Sequence, residues 1–195
     1  MSATGAHRLG EGPLHRAVFT DRDGTLNPDL HYLSDPERIE FLPGVVQGIS
    51  RLREHGYRVI CVTNQSGIGR GYFTAARLEE VHRRIDLRLR AAGSPLDGFY
   101  YCPHRPEERC ACRKPGTALF LRAAREHRLD LATSAIIGDR VLDMEVGRAL
   151  GMVSAFVPER GLEARARAEL RERGSFPELS AGTFLGAVLQ ILSLG

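Results

Sequence analysis

One stretch constrains this chain more than any other: residues 18–25, V-F-T-D-R-D-G-T. A short run of apolar and β-branched residues, suited to a strand, ends in two carboxylates, Asp21 and Asp23, one residue apart. Gly24 and Thr25 then turn the chain. If the run is a strand, both acids stand at its carboxyl end, where open parallel α/β sheets bind their ligands. Two acids also occur where a strand merely ends and turns, so the rest of the chain must decide between the readings.

Strand and helix patterns alternate downstream of this stretch. Period and composition place strands at residues 17–21, 58–63, 98–101, 134–138 and 152–157. Helices are expected at residues 44–55, 117–127, 142–150, 163–173 and 181–194. A further helix opens after Thr74 and carries Leu78, Val81, Ile85 and Leu89 on one face, before Gly93, Ser94 and Pro95 stop it. Its arginines are read as a solvated opposite face. Residues 27–42 read as a loop and residues 64–71 as a glycine-rich turn. The alternation predicts an α/β fold with a doubly wound, Rossmann-like parallel sheet. No stretch between the early strands has room for a separate cap domain, so the expected site is open and rimmed by loops.

Composition fits this picture. With 195 residues, 43% of them hydrophobic and 26% charged, the chain has the make-up of a soluble globular protein. We expect residues 1–14 to be a flexible arm and residues 15–195 a single domain. A net charge of +3 is too weak to argue for nucleic acid. The early residues lack a signal-peptide pattern, and the apolar tail at residues 184–194 is too short to span a bilayer. The expectation is a cytoplasmic monomer with neither a nucleic-acid nor a membrane partner.

Among 27 basic residues only Lys114 is a lysine. A chain that uses arginine for generic positive charge keeps a lysine where a compact ammonium is needed, or by chance. Lys114 follows a cluster of three cysteines and a histidine, Cys102-x-His104-x₅-Cys110-x-Cys112. Three sulfurs and one imidazole suit a closed, structural tetrahedral Zn²⁺ site. Free thiols beside an incidental histidine, or an iron–sulfur cluster, are the alternatives. Cys61 lies in an apolar run and reads as a small buried side chain. His31, His55, His82 and His127 have no such pairing and read as surface or helix residues.

Four polar sites now fall at the carboxyl ends of expected strands: Asp21 with Asp23, Thr63 with Asn64, Arg113 with Lys114, and Asp139 with Asp143. Cleaving a phosphate monoester needs a nucleophile, a proton donor for the leaving oxygen, and positive charge on the transferring group. A carboxylate can attack, and a second can carry the proton. Acids would repel the substrate unless a divalent cation bridges them, and oxygen ligands suit Mg²⁺. Asp139 offers another metal oxygen. Thr63 offers a hydroxyl and a backbone N–H, and Lys114 a point charge.

These stretches, D-R-D-G-T, T-N-Q-S-G-I-G-R-G, C-R-K-P and G-D-R-x-x-D, resemble the four motifs of the haloacid dehalogenase (HAD) superfamily of phosphatases, in order, over residues 17–157. The resemblance implies a HAD fold in which Asp21 is the nucleophile and Asp23 the general acid/base. It implies that Thr63, Asn64, Arg113 and Lys114 bind phosphate or substrate. Asp21, Asp139 and the backbone carbonyl of Asp23 would hold Mg²⁺, and Asp143 would hold Lys114 or a metal-bound water. Within the superfamily the C-P-H…C-x-C-R-K-P loop resembles two groups, acting on D-glycero-D-manno-heptose 1,7-bisphosphate or on histidinol phosphate. D-R-D-G-T-L-N, E-F-L-P-G-V and T-N-Q-S-G-I-G-R-G-Y-F look more like the heptose group, which implies removal of a 7-phosphate. His31 departs from that group's usual glycine. Arg113, with Arg70 as a further candidate, would grip a second phosphate or hydroxyls. An open site and an arginine-rich helix also leave a nucleic-acid end-processing phosphatase as an alternative.

Overall fold

A computed structural model describes residues 14–159 and 161–194. The expected arm at residues 1–14 lies outside the described residues except for Leu14. Six strands form one parallel sheet in the order β3-β2-β1-β4-β5-β6. They are β1 (Ala17–Thr20), β2 (Arg58–Asn64), β3 (Gly98–Cys102), β4 (Ala135–Gly138), β5 (Val153–Phe156) and β6 (Leu179–Ser180). From β1 the chain winds outward through β2 and β3, then returns to place β4 on the other side of β1. That reversal opens a crevice between the carboxyl ends of β1 and β4.

Alternation along β1 explains the layering. Phe19 pairs in register with Ile60 of β2 and Ile136 of β4, and these face one layer. Val18, with Val59 and Cys61 of β2, faces the other. Helices α1 (Val45–Glu54), α3 (Ala75–Ala91) and α7 (Phe184–Leu192) cover the Val18 side through Ile49, Ile85 and Val188. Helices α4 (Ala118–His127) and α5 (Val141–Leu150) cover the Phe19 side through Phe120 and Val146. Helix α6 (Glu163–Glu172) packs Leu170 against Met144 and Phe156. Strands buried on both faces read as near-continuous apolar runs, as β2 and β4 do.

Thr74 caps α3 by accepting a bond from the Arg77 N–H, and Gly151 closes α5 in the left-handed region, both as their residue types demand. Two features differ from the sequence reading. Residues 66–69 form a one-turn helix, α2 (Ser66–Gly69), inside the expected glycine-rich turn. A two-residue strand, β6, is absent from the expected strands, and the last helix opens at Phe184, behind its Thr183 cap, rather than at residue 181. His82 lies on α3 but is buried, its ring stacked 4.7 Å from that of Phe99. Burial pushes its pKa down to about 3, so it is neutral.

The β1–β2 connection holds only a 3₁₀ turn, Pro36–Arg38, and α1, and the β2–β3 connection only α2 and α3. The site therefore lies open beneath loops, as expected of a capless arrangement. Among the described residues no helix is long and apolar enough to cross a membrane.

Candidate active site

β1 delivers the first acid. The Asp21 N–H donates to the Ile137 carbonyl at 3.1 Å and carries the β1–β4 ladder one residue past the strand. The chain then turns at Gly24, whose φ is 80°. A side chain there would be strained, and its Cβ would meet an Asp139 oxygen at 2.4 Å. Bare backbone can thus approach the end of β4, and Thr25 Oγ1 donates to Asp139 Oδ1 at 3.2 Å across the crevice. A Cβ at Gly138 would likewise meet the Asp143 carboxylate at 2.3 Å.

Asp21, Asp139 and Asp143 come together here, each with a carboxylate oxygen within 4.8 Å of the others. Lys114 enters from the loop after β3. Its Nζ lies 2.9 Å from Asp21 Oδ2 and 2.7 Å from Asp143 Oδ1. Burial opposes the lysine charge, but Asp143 and Asp21 outweigh it and raise the pKa above the ordinary lysine value. Burial pushes Asp143 up to about 6, with Asp21 adding and Lys114 opposing. Burial, then the charges of Asp21 and Asp143, push Asp139 well above the carboxylate range. Three buried carboxylates against one ammonium and the Arg140 guanidinium on Asp139 leave an excess of negative charge. A hard divalent cation fits that donor set.

Asp23 is held apart from this cluster. Arg22, with no exposed surface, donates to both Asp23 oxygens at 2.8–3.1 Å. Asn27 Nδ2 donates to Oδ1 at 3.0 Å and Gln65 Nε2 to Oδ2 at 2.8 Å. Burial alone would raise its pKa, but the Arg22 charge and the bonds from Asn27 and Gln65 hold it below the usual value.

One cleft of about 300 Å³ is lined by Asp21, Asp23, Thr63, Asn64, Arg113 and Lys114, six of the expected residues. Asn64 spends its amide on the lysine loop: Oδ1 accepts from the Lys114 N–H at 3.0 Å and Nδ2 donates to the Lys114 carbonyl at 3.3 Å. Arg113 is anchored on the His104 carbonyl at 3.4 Å. Arg70 does not line this cleft and lies 3.7 Å from Glu107.

Beside the cleft, Cys102, His104, Cys110 and Cys112 converge. The sulfurs are 3.3–3.5 Å apart, and His104 Nδ1 lies 3.2 Å from Cys112 Sγ and 3.6 Å from Cys102 Sγ. Sulfurs about 2.3 Å from one tetrahedral ion lie roughly 3.8 Å apart, so the donor set fits a single zinc with a small expansion.

The HAD-hydrolase-like family model matches residues 111–176. A D-glycero-beta-D-manno-heptose-1,7-bisphosphate 7-phosphatase of Helicobacter pylori is 43% identical over 134 residues, 68% of this chain and 78% of that protein. The chain belongs to the heptose-bisphosphate phosphatase family of HAD-like hydrolases. A probable member from Thermoplasma volcanium is 40% identical over 136 residues, 69% of this chain and 93% of that protein. The D,D-heptose 1,7-bisphosphate phosphatase of B. bronchiseptica, solved with magnesium and phosphate, superposes with a TM-score of 0.81. The two are 31% identical, and the match covers 92% of this chain and 99% of that one. Family membership makes the chain a phosphoric monoester hydrolase.

Several residues of the site carry no role in the sequence motifs alone. Arg22, Asn27 and Gln65 surround Asp23, and Arg140 bridges Asp139 at 3.0 Å and Asp29 at 2.9 Å. Arg22, Gln65 and Arg140 lie inside or beside the quoted motifs, so their positions were a usable signal. Arg22 and Arg140 pair with their sequence neighbours Asp23 and Asp139, but the bonds of Gln65 to Asp23 and of Arg140 to Asp29, across 42 and 111 residues, leave no local signal.

Proposed function

We propose that this enzyme removes the 7-phosphate of D-glycero-D-manno-heptose 1,7-bisphosphate with the help of Mg²⁺. The names of the relatives support the sugar. The chemistry is supported above all by one contact, Lys114 Nζ on Asp21 Oδ2 at 2.9 Å, in a cleft that Thr63 also lines. Asp21 attacks phosphorus, the bond from phosphorus to the sugar oxygen breaks, and the leaving oxygen takes a proton from Asp23, which its neighbours hold ionised at rest and which takes up that proton from solvent as the anionic substrate binds. Water then attacks the aspartyl-phosphate, Asp23 takes its proton, and phosphate departs with Asp21 restored. Lys114 and the Thr63 hydroxyl bind the phosphoryl oxygens. Mg²⁺, held by Asp21, Asp139 and the Asp23 carbonyl, would neutralise charge on the transferring group.

Arg113 is our candidate for the second phosphate, because its bond to the His104 carbonyl fixes it at the cleft's rim. Zn²⁺ on Cys102, His104, Cys110 and Cys112 would stiffen the loop that presents Arg113 and Lys114. Residues 15–195 are read as one domain and the enzyme as a monomer. A thiol-rich metal site and a phosphorylated metabolite as substrate support a cytoplasmic location.

Phosphate release from heptose 1,7-bisphosphate and from histidinol phosphate tests the assignment. We expect a clear kcat/KM preference for the heptose. The reverse preference would sink the sugar while leaving the mechanism standing.

A further inference from the structure

We propose that Gln65 is a positioning residue that sets the proton-carrying Asp23 and the phosphate-binding Thr63 in one register. The proposal rests on the roles given to those two residues above. Gln65 is buried, with 4% of its surface exposed, one residue beyond β2. Its backbone N–H donates to the Cys102 carbonyl at 2.7 Å, which ties it to the base of the Cys/His loop. Every polar atom of its amide is used. Nε2 donates to Asp23 Oδ2 at 2.8 Å and to Thr63 Oγ1 at 2.9 Å, and Oε1 accepts from Arg22 Nη2 at 3.2 Å.

The partners dictate which way the amide faces. The Asp23 carboxylate only accepts here and the Arg22 guanidinium only donates, so a flipped amide would place oxygen against oxygen and nitrogen against nitrogen. Because Thr63 Oγ1 accepts from Gln65, its own single proton stays free to donate into the cleft, where a phosphoryl oxygen would sit. Because Asp23 Oδ2 takes bonds from both Gln65 and Arg22, at 2.8 Å each, the carboxylate has little rotational freedom. One amide thus couples the group that grips phosphate to the group that serves the leaving oxygen. Mis-set by about 1 Å, such a group can cost a large factor in rate.

Two variants separate this role from a structural one. Gln65→Glu is nearly isosteric and turns the donor facing Asp23 into an acceptor. Gln65→Met deletes the donors without adding charge. Each is assayed for kcat/KM, which reports the step in which the leaving group departs, on heptose 1,7-bisphosphate and on p-nitrophenyl phosphate. The sugar alkoxide needs a proton to leave and p-nitrophenolate does not. Asp23→Asn is run beside them as the reference for a missing proton donor.

We expect both Gln65 variants to lose about tenfold or more in kcat/KM on the sugar phosphate relative to the aryl phosphate, in the same direction as Asp23→Asn. Gln65→Glu should lose more than Gln65→Met. Equal losses on both substrates, or none, beside a selective loss in Asp23→Asn would overturn the role of Gln65 alone. If Asp23→Asn itself shows no selective loss, the role given to Asp23 falls and the proposal with it. Thermal unfolding checks that the variants are folded, and Gln65→Met decides if the charged variant is not.

Discussion

The ammonium of Lys114 stands 2.7 Å from Asp143, a carboxylate with no exposed surface. The same ammonium lies 2.9 Å from Asp21, so one cation balances two buried acids. Removing it strands both. Lys114→Met should lower stability by about 3–5 kcal/mol, as breaking buried pairs from one side does. Thermal unfolding measures the effect, and an unchanged Tm would contradict the pairing. The variant should also fail to release phosphate.

Asp21→Asn tests the nucleophile. Turnover should fall by roughly 10⁴-fold or more while the circular dichroism spectrum stays as it is. Normal turnover in a folded variant would remove Asp21 from that role.

Magnesium, proposed at Asp21 and Asp139, and protons on Asp139 and Asp143 compete within one acidic cluster. Burial raises Asp143 to about 6 and takes Asp139 well above its ordinary range. A carboxyl raised in the folded state binds protons that the unfolded chain has released, so metal-free stability falls as pH climbs from about 4 through about 6. Cation binding to the ionised acids offsets that loss. The Tm gain on adding MgCl₂ should therefore be larger at about pH 7.5 than at about pH 5. Equal gains at the two pH values would count against a metal held by these carboxylates.

The Cys/His cluster makes a fourth test. Elemental analysis of freshly purified protein should find zinc. Its removal by a chelator should speed amide exchange across residues 102–114 and lower kcat/KM, because Arg113 and Lys114 leave that loop directly. Zinc-free protein with full activity would refute the site.

Much of this architecture is legible residue by residue. β2 announces itself as an apolar run, and α3 shows both its apolar stripe and its Thr74 cap. The acids and the threonine of the site sit at strand ends, where local pattern and fold rule agree, and the lysine follows the Cys/His loop that leaves β3. The rest depends on partners that sequence does not display. β6 is two residues long, too short for a period to register. Helix α2 carries two glycines in four residues, a composition of low helix propensity, and forms because its neighbours hold it: the Gly69 N–H donates to the Pro103 carbonyl at 3.0 Å. His82 is buried because it flanks the stripe of Val81 and Ile85 and meets Phe99 of β3. Gln65 looks like a spacer within its motif until the fold brings it to Asp23 and to the neighbouring Arg22.

The burial of Lys114, the chain's only lysine, has a practical consequence outside catalysis. The surface of this enzyme presents arginine guanidinium groups and no lysine ε-amine. Acylating reagents and amine-directed cross-linkers thus meet no lysine on the folded surface. Acylation at an ε-amine becomes a selective reporter of the site's opening, and the surface keeps its positive charge well into alkali.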